Sequence, residues 1–176
     1  MAEISLIPFE GHVPDIAAAA FVAPGSRLIG AVTLGADSSI WYNCVLRGDV
    51  NPIHVGARTN IQDGTVVHVT TRLHATEIGD DCLIGHLAMV HGCKLHNHAF
   101  VGLGSIVMDG CEIESNGMLA AGALLTPGKR IAAGQMWAGR PAKYVRDLSE
   151  REIAGNRLGV VQYVENARQH AAALAG

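Results

Sequence analysis

Residues 95–131 read LHNHAFVGLGSIVMDGCEIESNGMLAAGALLTPGKRI. Every sixth position is aliphatic: Leu95, Val101, Val107, Ile113, Leu119, Leu125 and Ile131. Two residues before each of the first six stands a small residue, namely Cys93, Ala99, Ser105, Cys111, Gly117 and Ala123. This spacing is the hexapeptide repeat of a parallel β-helix, in which each repeat supplies a short strand and a corner and the aliphatic side chain points inward. Glycine often follows the aliphatic directly, as at Gly35, Gly56, Gly79, Gly85 and Gly102. Glycine, Asn and Asp tolerate the dihedral angles of corners, so these positions are expected near them.

The rhythm extends upstream. Val22, Leu28, Leu34, Ile40 and Leu46 keep the step, and after a three-residue insertion around Gly48 to Pro52 it resumes at Val55, Ile61 and Val67. Past an excursion near residues 70–76 it runs through Ile78, Ile84 and Val90, then drops one residue to reach Leu95. Cys44, Cys82, Cys93 and Cys111 all occupy the small inward slot and no CxxC pair exists, so they read as reduced apolar fillers. Three hexapeptides close a triangular coil of roughly 18 residues. The pattern fades after Trp137, and RPAKYVRDL at 140–148 leads out of the last coil. Ser149 and Glu152 then form a capping box that opens a helix over 149–174, with Ile153, Val160, Val164, Ala167 and Ala171 on the face that lies back along the coils. The expectation is one all-β domain, a β-helix over about 12–140 followed by that helix.

Composition agrees, because 21 glycines and 5% aromatic residues leave small residues and aliphatics to do the packing. A formal charge of -3 with no Lys/Arg run argues against nucleic acid as a partner. The opening MAEISLIPFEGHVPD lacks a charged segment followed by an unbroken apolar one, and no apolar window is long enough to span a bilayer. A cytoplasmic protein without membrane attachment is expected.

The register also builds a site. If Val67 lies on face A, Ile78 falls on B, Ile84 on C and Val90 on A again, directly above Val67. His68 and His91 follow these two aliphatics and therefore project from the same face one coil apart. Strands lie about 4.7–4.9 Å apart and imidazole nitrogens ligate zinc at about 2.0–2.1 Å, so the pair can converge on one ion. Leu46 shares face A, which puts Arg47 in the same outward column. His86, two residues past Ile84, sits near a corner of face C and is expected to reach an ion held by a neighbouring copy related by threefold symmetry. That arrangement is a homotrimer with interfacial metal sites. The remaining histidines, among them His12, His54, His96, His98 and His170, read as surface residues.

LRGDVNPI at 46–53, ARTNIQDGTVVHV at 57–69 and IGHLAMVHGC at 84–93 resemble the gamma-class carbonic anhydrase family, over about residues 10–170. The resemblance implies a left-handed β-helix, a trimer, and zinc (or iron or cobalt) on the histidines corresponding to His68, His86 and His91, one of them contributed across the interface. It implies that Arg47 and Asp49 tie subunits together near the metal with Asp63 as a further partner, against the plainer reading of an ordinary interfacial salt bridge. Gln62 resembles a glutamine that positions the bound water or bicarbonate, with Asn60 supporting it, and Tyr163 resembles a tyrosine that overhangs the site, core packing being its competing explanation. The implied chemistry is hydration of carbon dioxide by hydroxide generated on the ion. Founding members carry proton-transferring glutamates where this chain has Val50 and, roughly, Thr71, and the loop TTRLHAT holds no acid, leaving His74 as a substitute. Weak activity is one consequence. An acyl-CoA thioesterase or acyltransferase and a noncatalytic trimeric scaffold are the alternatives, since this fold hosts acyl transfer as well.

Overall fold

A computed structural model describes residues 4–176. The chain winds as a parallel β-helix with three faces. Face A stacks Leu28, Leu46, Val67, Val90, Val107 and Leu125 in register. Leu34, Val55, Ile78, Leu95, Ile113 and Ile131 form face B, and Val22, Ile40, Ile61, Ile84, Val101 and Leu119 form face C. None of these inward aliphatics is more than 8% exposed. The strand Ser5–Ile7 extends face A at the N-terminal end by pairing with Arg27–Leu34. At the other end Gln135–Gly139 stacks on Met118–Leu119 and folds back on Ala142–Asp147 as an antiparallel pair, which is why the repeat fades there. Among the described residues no helix is long and apolar enough to cross a membrane.

The glycines that follow the aliphatics have a different role from the one the repeat suggests. Left-handed backbone falls three residues after the aliphatic, at Asp37, Asn43, Arg58, Asp81, Leu87, His98 and Asn116, and apart from Leu87 polar residues or glycine turn the corner there. Gly102 does not need that conformation. A Cβ built on it would lie 2.4 Å from the Ala121 nitrogen and 2.6 Å from the Ala120 carbonyl carbon, so it is glycine because the next coil's backbone passes too close for a side chain.

All four cysteines are free and buried in the inward slot. Burial pushes the Cys44 and Cys82 thiols up to about 12 and raises Cys93 and Cys111 as well. Because the thiolate is the reactive species, a thiol-specific chromogenic reagent at pH 8 is expected to titrate none of the four in folded protein and all of them after denaturation. Rapid native labelling would mean that the coils open.

The helix Glu150–Ala175 begins at Ser149, whose side chain accepts from the Glu152 amide while the Glu152 carboxylate accepts from the Ser149 amide. It packs on Phe21–Val22, Ser39–Ile40, Asn60–Ile61 and Leu83–Ile84, all on face C, and buries Val160 and Ala167. Face B stays open to solvent. Its outward column alternates in sign, Glu77, Lys94, Glu112 and Arg130 standing side by side on successive coils with His54 below them. Lys94 lies 3.7 Å from Glu77, and Arg130 lies 3.7 Å from Glu112.

Candidate metal centre

The strands Val66–His68 and Met89–His91 pair in parallel register, with His68 directly opposite His91. Strand alternation turns Val67 and Val90 into the core and leaves both imidazoles outside. His68 Nδ1 comes to 3.0 Å from His91 Nε2. Each ring carries a carboxylate on its other nitrogen. Asp49, within the three-residue insertion of the strand Val45–Val55, places Oδ1 3.0 Å from His68 Nε2 and also accepts from Arg47. Asp109 places Oδ1 2.5 Å from His91 Nδ1, and its Oδ2 accepts from the Thr70 hydroxyl at 2.7 Å.

Burial pushes both carboxyls up, yet the hydrogen bonds outweigh it and leave both below their ordinary value. His68 and Arg47 do this for Asp49, and Thr70 and His91 for Asp109. An ionised carboxylate only accepts, so each draws the ring proton of a neutral imidazole to its own side. With both rings neutral, His68 Nδ1 and His91 Nε2 present two lone pairs to each other at 3.0 Å. A shared proton or a metal cation between the two nitrogens relieves that contact. A tetrahedral zinc with bonds of about 2.0–2.1 Å holds two ligand nitrogens roughly 3.3 Å apart, so the donor pair fits such an ion with an adjustment of a few tenths of an ångström.

A second cluster occupies face C. Ile61 pairs with Ile84, so Asp63 and His86, each two residues further on, share a column. Asp63 Oδ2 lies 2.8 Å from His86 Nδ1, and Oδ1 accepts from the Tyr42 amide at 3.2 Å. Here too the carboxylate fixes one nitrogen and leaves Nε2 as a free donor atom. Gln62 is buried, its Nε2 donating to Asn60 Oδ1 at 3.0 Å, while the Asn60 amide donates to the Cys82 carbonyl at 3.3 Å. Tyr163, on the helix, stands edge-on to Trp41 with ring centroids 5.3 Å apart. Burial and the charge of Asp63 raise its phenol.

One chain therefore brings His68, His91, Arg47 and Asp49 together on face A and His86, Asp63, Asn60, Gln62 and Tyr163 together on face C. It does not bring His86 to the other two histidines. Among the described residues no group of three or more His, Cys, Asp or Glu side chains is placed to hold a metal ion within a single chain. Asp109 was not among the residues picked out from the sequence, although it lies close to one 18-residue coil beyond His91. Val50 and Thr71, where the acids are missing, border a groove of about 540 Å³ that also touches Asp49, Glu10 and His12. His74 instead sits beside Asp109, whose carboxyl its charge helps to lower.

No family model matches the chain. It is 46% identical over 164 residues to gamma carbonic anhydrase 1, mitochondrial, of Arabidopsis thaliana, covering 90% of this chain and 60% of that protein. The chain thus spans about 60% of the length of that plant relative. A carbonic anhydrase of Geobacillus kaustophilus is 38% identical, with 95% of this chain and 91% of the relative covered. Protein YrdA of Escherichia coli is 44% identical over 91% of this chain and 90% of its own. Among solved structures, a hexapeptide transferase family protein from Anaplasma phagocytophilum superposes with a TM-score of 0.89 at 48% identity, covering 94% of this chain and 97% of that one.

Proposed function

The chain belongs to the gamma carbonic anhydrase family, and on that premise we propose that it is a zinc-dependent, homotrimeric enzyme interconverting carbon dioxide and bicarbonate. One observation carries the metal: His68 Nδ1 and His91 Nε2 face each other at 3.0 Å while each ring is held at its other nitrogen by a carboxylate. His68 and His91 of one protomer and His86 of the partner subunit would hold the ion, with iron or cobalt as other occupants of the same donor set. Such an ion supplies acidity, lowering the pKa of a water that it binds to about 7.

The protein groups supply orientation. Asp49, Asp109 and Asp63 keep the three imidazoles in the tautomers that leave their ligating nitrogens bare. Gln62 has no protonic role. With Nε2 committed to Asn60, its carbonyl oxygen points one way only and can accept from a nucleophile's O–H. Tyr163 closes the same side and keeps bulk water away from it. Two complementary clusters on different faces of one chain make a head-to-tail contact, which closes into a ring when the rotation between copies permits, and a triangular prism suits three. The free thiols fit a reducing, cytoplasmic setting.

Mixed rings test the shared site. His86→Ala and His91→Ala proteins are each expected to be inactive and free of zinc. Co-refolded in equal amounts, they restore about a quarter of the junctions, because one partner still supplies the histidine pair and the other still supplies His86. Zinc content and CO2 hydration should both return to that level. No recovery in rings shown by native mass spectrometry to be mixed would defeat the shared site.

A further inference from the structure

We infer that Asp109, braced by Thr70, is the positioning residue for His91, an inference that rests on the metal reading above. The carboxylate is built into its place. Its Oδ1 meets His91 Nδ1 at 2.5 Å while its Oδ2 receives the Thr70 hydroxyl at 2.7 Å, so neither oxygen can swing without losing a partner. Thr70 is itself anchored: its amide donates to the His74 carbonyl at 2.9 Å, and its carbonyl accepts from Asn51 Nδ2 at 2.6 Å. The residue after His91 makes the room. A Cβ on Gly92 would stand 2.7 Å from Asp109 Oδ1, so any larger residue there would push the carboxylate off the ring. Gly92 is held in turn by its amide, which donates to the Thr76 hydroxyl at 3.0 Å and the His68 carbonyl at 3.1 Å.

Three strands and a loop thus converge on one task, which is to keep the His91 proton on Nδ1 and its Nε2 turned toward His68. Asp109 touches neither ion nor substrate. It acts through His91, and the excursion at residues 70–76, which bears no acid of its own, enters the site by way of Thr70.

The test uses the full-length protein in two states. In Asp109→Asn, zinc affinity measured by chelator competition is expected to fall 10- to 100-fold, and Thr70→Val should give a smaller loss in the same direction while Thr70→Ser restores it. In metal-free protein, 15N spectra of the imidazoles should show His91 protonated at Nδ1, and Asp109→Asn should shift it toward the Nε2–H form. A fall in affinity with an unchanged tautomer would assign Asp109 a merely structural role and overturn the inference. So would unchanged affinity. If wild-type protein binds zinc and shows both effects yet hydrates no carbon dioxide, the inference stands and the carbonic anhydrase reading fails.

Discussion

His91→Ala protein is expected to lose its metal and to hydrate carbon dioxide at least about 100-fold more slowly than wild type, since the ion's charge stabilisation is worth several kcal/mol and each 1.4 kcal/mol is tenfold in rate. The substitution leaves His68 facing an empty space, with Asp109 deprived of its ring partner. His54→Ala is the matched control, because that histidine belongs to the outward column of face B, away from both clusters. Zinc per protomer by plasma mass spectrometry and stopped-flow hydration with a pH indicator read the two consequences separately. Retained metal and hydration in His91→Ala would remove the site from face A altogether. Bound metal with no hydration in wild type would instead leave the ion a structural role at the interface.

Gly102→Val is expected to be among the most destabilising single changes in the coil stack. The obstacle is the backbone of the next coil, 2.4 Å from the nearest position a Cβ can take, and parallel strands at about 4.8 Å have no slack to give. A cost above about 4 kcal/mol follows from forced separation of two coils, which for a chain of this size lowers the melting temperature by roughly 10 °C or more. Gly104→Ala makes the contrast. Gly104 has φ +63° and nothing within 4 Å of a Cβ, so only the left-handed conformation penalises it, at about 1 kcal/mol. Calorimetry on the two variants separates close approach from backbone conformation as the reason for glycine. Equal, small shifts would show that the coils are not packed as tightly as Gly102 and Ala121 imply.

The solenoid was legible because a six-residue spacing of aliphatics leaves no other way to bury them all, and the helix because Ser149 and Glu152 announce its first turn. Counting steps along the faces was enough to stack His68 on His91 and to set His86 apart. Three things escaped that counting. The corner glycines were misplaced because periodicity locates a residue along the coil without saying how near the neighbouring backbone runs. Asp109 went unnoticed because it is one position out of strict register with His91, the face-A partner of Val90 being Val107, and only the side chain's reach closes the gap. The third is which group each carboxylate meets within its own chain: Arg47 is turned onto Asp49, Asp49 onto His68 and Asp63 onto His86. Spacing alone carries no information on which of several neighbours a carboxylate selects.

The alternating charges of face B answer a difficulty that every repetitive fold creates. Inward aliphatics are interchangeable, so nothing in the core tells a folding chain which coil belongs on which. If a coil were looped out, Glu77 would come to rest against Glu112, or Lys94 against Arg130, and like charges directly opposite are unfavourable. The outer surface thereby keeps the serial order that the interior cannot remember, and a chain with this column neutralised should still fold but collect misthreaded forms.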